Sequence, residues 1–284
     1  MTVIATGTFM TLAEEETRLL IGLDAVFGGW GERAGAAPML LPALQSVADL
    51  ASLDVFQNFP HLTWVATTLN PQGTQVRAEI TEQVPAEALQ PAAYGLPSAV
   101  CYGFYLHFRG SVVPEQTLVT AMNTCFRNET HYEGLRRLAA FRMREIVALG
   151  DIEHAGAHLD HFDRLITRFA EALDLPLVKE AAGDPFFDPE GAQAKWQQLV
   201  PVKHEYRYGD LAIASLNEHR KFFGERCDIR GAESGAIVST SCVAFGLERW
   251  VHSLIDRYRG DRDAALAAVT AAAAASLEGK TDHE

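Results

Sequence analysis

Cys125-Phe126-Arg127-Asn128-Glu129, then Gly134-Leu135-Arg136-Arg137, then Phe141-Arg142-Met143-Arg144-Glu145 is the stretch that decides the fold. Residues 117–126 (TLVTAMNTCF) are rich in β-branched residues and read as a strand, which delivers Arg127 at its end. Arg137 follows a loop that carries Gly134. A second segment, Phe245-Gly246-Leu247-Glu248-Arg249-Trp250, comes about 120 residues later and sets Arg249 near a helix start. An arginine fork binds phosphate bidentately and stays charged. Arg127, Arg137 and Arg249, with an aromatic ring at Phe141, are therefore equipment for a nucleoside triphosphate. Neither a G-x-G-x-x-G nor a full G-x-x-x-x-G-K-[ST] loop is present, which excludes Rossmann and Walker-type nucleotide sites.

The chain has 284 residues, 48% of them hydrophobic and 21% charged, ordinary for a protein with a sizeable core. No apolar run is long enough to span a bilayer, and the N-terminus lacks a basic region followed by an apolar one. No membrane contact and a cytoplasmic location are expected. Cys101, Cys125, Cys227 and Cys242 are scattered without a C-x-x-C pair, which favours free thiols or metal ligands over disulfides. The formal net charge is −13, without a basic tail or lysine-rich helix. Polyanion binding draws most of its affinity from Lys and Arg, so extended contact with tRNA or DNA is not expected.

Along the chain, residues 12–28 and 152–174 carry helical periodicity, and the last 25 residues form an alanine-rich helix and a polar tail. Residues 61–69, 101–108, 117–126, 211–217, 226–230 and 237–246 read as strands. Strands and helices are segregated rather than alternating, which predicts an α+β fold on an antiparallel sheet flanked by helices. One catalytic domain over 1–284 is expected, with a helical insertion at about 150–200 as a candidate contact for a partner protein.

The pattern F-R-x-E, loop, G-L-x-R-x-x-x-F, then Glu145 resembles motif 2 of class II aminoacyl-tRNA synthetases, and Phe245-Gly246-Leu247-Glu248-Arg249 resembles their motif 3. A helix, Met39-Leu40-Leu41 and Pro42 follow the order of the dimer-forming first motif, implying a homodimer. The resemblance implies that Arg127 holds the α-phosphate of ATP and Arg249 the γ-phosphate. It further implies that Phe141 stacks on adenine against Arg249, that Arg137 contacts the bent triphosphate, and that Glu129 orients the adenine or the loop. Residues 212–217 (AIASLN) are similar to the strand before motif 3 in seryl-type enzymes, which adds Ser215 to the ATP contacts and Asn217, with Glu129, to the substrate contacts. Those enzymes carry a Mg²⁺-binding glutamate where this chain has Ala212; Glu205, Glu218 or a water is left to replace it.

Cys101, Glu145 and Cys242 lie 44 and 97 residues apart, too far for a local finger, yet each falls beside a landmark. Two thiolates and a carboxylate suit Zn²⁺ and leave a fourth tetrahedral position open. The arrangement resembles the atypical zinc-dependent seryl-tRNA synthetases and their truncated relatives, the amino acid:[carrier protein] ligases, in which the metal binds the amino acid's α-amino group. Cys125 is the rival ligand; it and Cys227 otherwise read as structural. His154, His158 and His161 lie at helical spacing, but without a zincin glutamate they read as a solvated or partner-facing helix. Ser239-Thr240-Ser241 reads as support for the pocket.

The ligase resemblance covers the chain throughout and implies activation of a small amino acid, glycine or alanine, by ATP. The aminoacyl group then passes to the phosphopantetheine thiol of a holo carrier protein. Arg136, Arg142, Lys221, Arg226 and Arg230, or the helix near 160–175, are candidates for docking it. From the length left outside the motifs, no tRNA-reaching domain is expected. A tRNA-charging or tRNA-dependent biosynthetic enzyme and a non-catalytic regulatory paralogue are the alternatives.

Overall fold

The computed structural model describes residues 8–70, 83–191, 195 and 202–277. A seven-stranded sheet organises the chain, in the order β1-β6-β7-β12-β10-β9-β8. Its long central strands are β6 (Gln116–Phe126), β7 (Ala140–Gly150), β12 (Ser239–Gly246) and β10 (Leu211–Arg220). The edge strands are β9 (Lys203–Tyr208), β8 (Leu177–Ala181) and, on the other side, β1 (Ala37–Pro38). Every pairing is antiparallel except β1 with β6. The α+β architecture expected from the segregated pattern is the one observed.

Side chains alternate across a strand, so each central strand serves two faces. Ile146 of β7 and Val243 and Phe245 of β12 join a core with α1 (Glu14–Arg33), α5 (Ile152–Ala172), α7 (Leu247–Arg257) and α8 (Arg262–Leu277). Phe27 stacks on Phe245 at 4.1 Å in that core. Met143, Val147 and Leu149 of β7 and Cys242 and Ala244 of β12 face the other way. There they meet α4 (Cys101–His107) and α6 (Phe222–Cys227). Helices thus close one face of the sheet, and the second face carries the site.

Four expectations about the elements need correction. Residues 101–108 are not a strand: Cys101–His107 is a helix, and Cys101 through Tyr105 are all buried. A short run that is apolar on every side has no period to separate helix from strand, and here the Glu145 carboxylate settles it by accepting the N–H groups of Val100 and Cys101. Residues 61–69 hold only a three-residue strand, β3 (Trp64–Ala66), in a small sheet with β2 (Gln45–Ser46) and β4 (Tyr94–Leu96). Residues 226–230 begin inside α6, leave it through a left-handed Asp228 (φ 48°), and end in β11 (Arg230–Gly231), paired with β5 (Val112–Val113). Helix α5 does not stand off as an insertion, because Phe162, Leu165, Ile166 and Phe169 lie in the main core. Within 150–200, residues 192–194 and 196–200 lie outside the described residues, as does the polar tail after Leu277.

The same helix corrects the histidine reading. His158 is buried, and its Nδ1 lies 2.9 Å from Ser241 Oγ, which donates to the carbonyl of Ala155. Ser241 therefore joins β12 to α5 on the helix-covered face instead of supporting the pocket.

Candidate active site

The three proposed metal ligands come from three elements: Cys101 from the first turn of α4, Glu145 from β7 and Cys242 from β12. β7 and β12 are neighbours, with Ala244 opposite Glu145 and Cys242 opposite Val147, so Glu145 and Cys242 stand on the same face two residues out of register. One ligand atom from each of the three lies within 4.8 Å of the others, and all three residues are buried. The Cys242 thiol donates to Glu145 Oε2 at 3.1 Å. That oxygen also accepts Cys101 N–H at 2.8 Å, and Oε1 accepts Val100 N–H at 3.0 Å.

Three potential anions in one buried spot are costly without a cation. Burial raises the Glu145 carboxyl above its ordinary value, against hydrogen bonds that lower it. A hydrogen bond from Cys242 lowers Cys101, but burial and the nearby Glu145 outweigh it and push the thiol up to about 11. Burial likewise raises Cys242. A soft divalent cation relieves all of these at once, so the donor set, its convergence and its burial fit zinc. Cys125 is fully buried and lies outside this group, as does Cys227.

The triad opens into a cavity of about 630 Å³. Arg127 lines it, donating to the carbonyl of Ser98 at 3.1 Å, with its guanidinium carbon 5.1 Å from the centre of the Phe141 ring. Ser215 and Asn217 line it as well, and Asn217 Nδ2 donates to Ser215 Oγ at 3.0 Å and to the carbonyl of Cys242 at 3.3 Å. Beyond Arg127 lies a small second cavity of about 20 Å³ bounded by Glu129, Leu135, Arg136, Phe141, Gly246 and Arg249. Arg249 donates to the carbonyls of Arg136 and Ala212, both at 2.9 Å. Burial, then Arg127 and Arg137, press its guanidinium down to about 10, so the three arginines form one positive cluster. Arg137 pairs with Glu129. Phe141 borders the same small cavity as Arg249 while its ring faces Arg127.

At the departure from the seryl-type pattern, Ala212 offers only its carbonyl, and Arg249 takes it. Glu205 lies on β9 opposite Ser215, between Lys203 at 3.4 Å and Arg207 at 3.5 Å; Glu218 lines the large cavity and pairs with Arg220 at 3.4 Å.

Among the lining residues that sequence reasoning missed are Lys203 and His219, which stand near Asp184 in the same wall. Lys203 pairs with Asp184 at 3.0 Å. His219 is hydrogen-bonded with Tyr105 at 3.1 Å, and burial presses its pKa down to about 4, which keeps it neutral. For His219 the signal was the period of β10, because Ser215, Asn217 and His219 are alternate residues on one strand.

No family model matches the chain. Amino acid–[acyl-carrier-protein] ligase 2 of Bradyrhizobium diazoefficiens is 31% identical over 226 residues, which cover 74% of this chain and 66% of that protein. Ligase 1 of the same organism is 28% identical over 246 residues, covering 81% of this chain and 74% of the relative. Over most of its length the chain is thus similar to amino acid:[carrier protein] ligases. It spans just under two thirds of the first of these ligases. Among solved structures, M. kandleri seryl-tRNA synthetase in complex with A. aeolicus tRNASec superposes with a TM-score of 0.74 at 19% identity, over 89% of this chain and 54% of the synthetase. The fold of the chain is thus that of a class II synthetase catalytic domain. Among the described residues of the chain, no helix is long and apolar enough to cross a membrane.

Proposed function

We propose that the protein activates a small amino acid, glycine or alanine, with ATP and passes the aminoacyl group to the phosphopantetheine thiol of a carrier protein. The observation that carries this reading is the meeting of Cys101, Glu145 and Cys242 in the wall of the same cavity that receives Arg127. Zn²⁺ on that triad would hold the α-amino group as a Lewis acid. The amino acid's carboxylate is then left to face Arg127.

In the first step a carboxylate oxygen attacks the α-phosphorus, the bond from that phosphorus to the bridging oxygen breaks, and pyrophosphate leaves with the electron pair. Negative charge grows on the phosphoryl oxygens, where Arg127 and Arg249 already stand as fixed cations. Arg137, released from Glu129, meets the triphosphate tail, and the base enters between Phe141 and Arg249, at the small cavity the two share. Ser215 and Asn217 hold the acyl-phosphate side of the adenylate. In the second step the acceptor thiolate attacks the acyl carbon, and the bond from that carbon to the AMP oxygen breaks. Mg²⁺ enters with ATP. A thiolate needs no enzyme nucleophile against so activated an acyl group.

The cytoplasm, with its ATP and reducing conditions, suits four free cysteines. Pairing with a second copy is supported by β1 beside β6, next to a fully exposed Leu40 and a partly exposed Met122. ATP–pyrophosphate exchange measured across the amino acids, with zinc quantified by mass spectrometry, tests the proposal. Exchange confined to glycine or alanine, with about one zinc per chain, is the expected result; no amino-acid-dependent exchange would refute it.

A further inference from the structure

The large cavity has a mouth that the adenylation chemistry does not use. Of its lining residues, Pro185, Lys221 and Glu225 are exposed, and they mark the opening. Lys221 and Glu225 belong to the segment where β10 turns into α6. That turn is strained: the register shifts between Glu218 and Arg220, and Arg220 takes a left-handed φ of 52°. Non-glycine residues are held in that region only where the surroundings over-determine them, commonly at functional sites. The effect here is to set Arg220 and Lys221 together on the rim.

The rim gathers three cations, Arg220, Lys221 and Arg226, on a chain whose formal net charge is −13. Lys221 makes no ion pair among the described residues. Arg226 pairs with Asp54, but the Arg226 side chain is 47% exposed and that of Asp54 only 14%, so the pair shows its positive end to solvent. Arg220 shares Glu218 at 3.4 Å, and Glu225 is the one exposed acid among the lining residues.

The nucleotide cannot be what these cations await. Arg249 is tied to Ala212 near the start of β10, and eight residues at ~3.3 Å each place Arg220 roughly 26 Å further along the strand. The metal triad lies between, since Cys242 is opposite Asn217. Asn217 and Arg220 are three residues apart, about 10 Å along the strand, so a ligand held at the rim that reaches the triad must span at least that and carry an anionic outer end. The phosphopantetheine arm fits: a thiol at the tip, an extended chain, and a phosphodiester where it joins a carrier protein.

Resting on the function proposed above, we propose that Arg220, Lys221 and Arg226 are the docking rim for the holo carrier protein, with Lys221 facing the phosphodiester of its arm. Nucleotide and acceptor then use opposite ends of the cavity. Fixed cations at the rim raise the encounter rate of an acidic partner and sharpen its dependence on salt.

The test compares wild type with Lys221→Glu and Arg226→Glu in two assays: amino-acid-dependent ATP–pyrophosphate exchange, and thioester formation on a purified acidic holo carrier protein. Lys221→Glu is expected to raise the KM for holo carrier at least tenfold and to leave exchange unchanged. With free acceptors, wild type is expected to prefer phosphopantetheine over pantetheine, and Lys221→Glu to lose that preference. An unchanged KM for carrier, or equal use of the two free acceptors by wild type, overturns the assignment. Exchange without transfer to any holo carrier overturns both the rim and the acceptor half of the proposed function. Absent exchange in wild type overturns the activation reading alone. The rim is then read by direct binding, where salt-sensitive preference for holo over apo carrier supports it and its absence overturns it.

Discussion

Replacing Glu145 by glutamine separates its two duties, because the shape is kept while the charge and one acceptor are lost. Glu145 is 1% exposed and accepts two backbone N–H groups at the start of α4, at 3.0 and 2.8 Å. Each such bond to a charged group contributes about 1.5–3 kcal/mol. A glutamine carbonyl can satisfy one of them as a neutral bond, but its NH₂ then meets the other N–H donor to donor. Relief of a buried carboxylate, raised in pKa by that burial, offsets part of the loss. The balance in metal-free protein is a destabilisation of about 2 kcal/mol, or roughly 3–4 °C in Tm for a chain of this length. The metal site loses one of three ligands, so zinc after desalting is expected to fall from about one per chain to less than a tenth. Differential scanning calorimetry on chelated wild type and chelated variant isolates the first effect, and mass spectrometry of metal content reads the second. A variant that keeps a full zinc complement would show that Glu145 is a helix cap and not a ligand. Equal Tm values for the two chelated proteins would refute the cap.

Two further predictions concern the arginine cluster and the hidden histidine. Arg249→Ala removes a buried cation held between two carbonyls and is expected to lower ATP–pyrophosphate exchange by about 10²–10³-fold, and Arg249→Lys is not expected to restore it, since an ammonium cannot span both; near-normal exchange in either variant would refute the placement. His158 donates Nδ1–H to Ser241 and leaves Nε2 buried without a partner, so burial depresses its pKa from 6.5 to about 3. The folded state then resists a proton that the unfolded state takes up below pH 6.5, and stability falls with acid by about 2 kcal/mol between pH 8 and pH 5 from this group. Urea unfolding against pH should show that loss flattened in His158→Gln; an identical slope in the variant would refute it.

What the sequence disclosed and what it hid divide along physical lines. Long strands such as β6, β7 and β12 and the amphipathic α5 announce themselves, because one period runs through many residues. Cys101–His107 did not, because a helix buried on every side has no polar face to set a period. The convergence of Cys101, Glu145 and Cys242 was legible through their places beside recognisable motifs, even though the first of those places was read as the wrong element. The side chain of Cys101 reaches the same point because the carboxylate that ends the motif 2 unit also starts the helix. His158 was illegible for the opposite reason. A histidine among small and apolar residues reads as solvated unless the hydroxyl that receives its proton is seen, and Ser241 lies 83 residues away.

The two oxygens of Glu145 are not equivalent, and that inequality bears on how a metal would be chosen. Oε1 is tied to Val100 N–H alone, while Oε2 lies toward both the Cys101 amide and the Cys242 thiol. The backbone at the start of α4 therefore fixes the carboxylate's rotation and turns one oxygen toward the thiols. A ligand held in this way by outer hydrogen bonds loses little entropy on binding metal and resists swinging round to chelate with both oxygens. Monodentate oxygen with two sulfurs is a tetrahedral, sulfur-rich set, and it disfavours Mg²⁺ and Ca²⁺, which ask for six or more oxygens. The same bonds tie the site to the fold: withdrawing Glu145 unpins α4, and α4 brings Cys101. Metal binding and the docking of α4 on the sheet are then linked, so chelation should loosen α4 before the helix-covered face of the sheet. Hydrogen exchange resolved by peptide would show faster exchange at 100–107 than at 155–166 after chelation, and uniform change across both would refute the linkage.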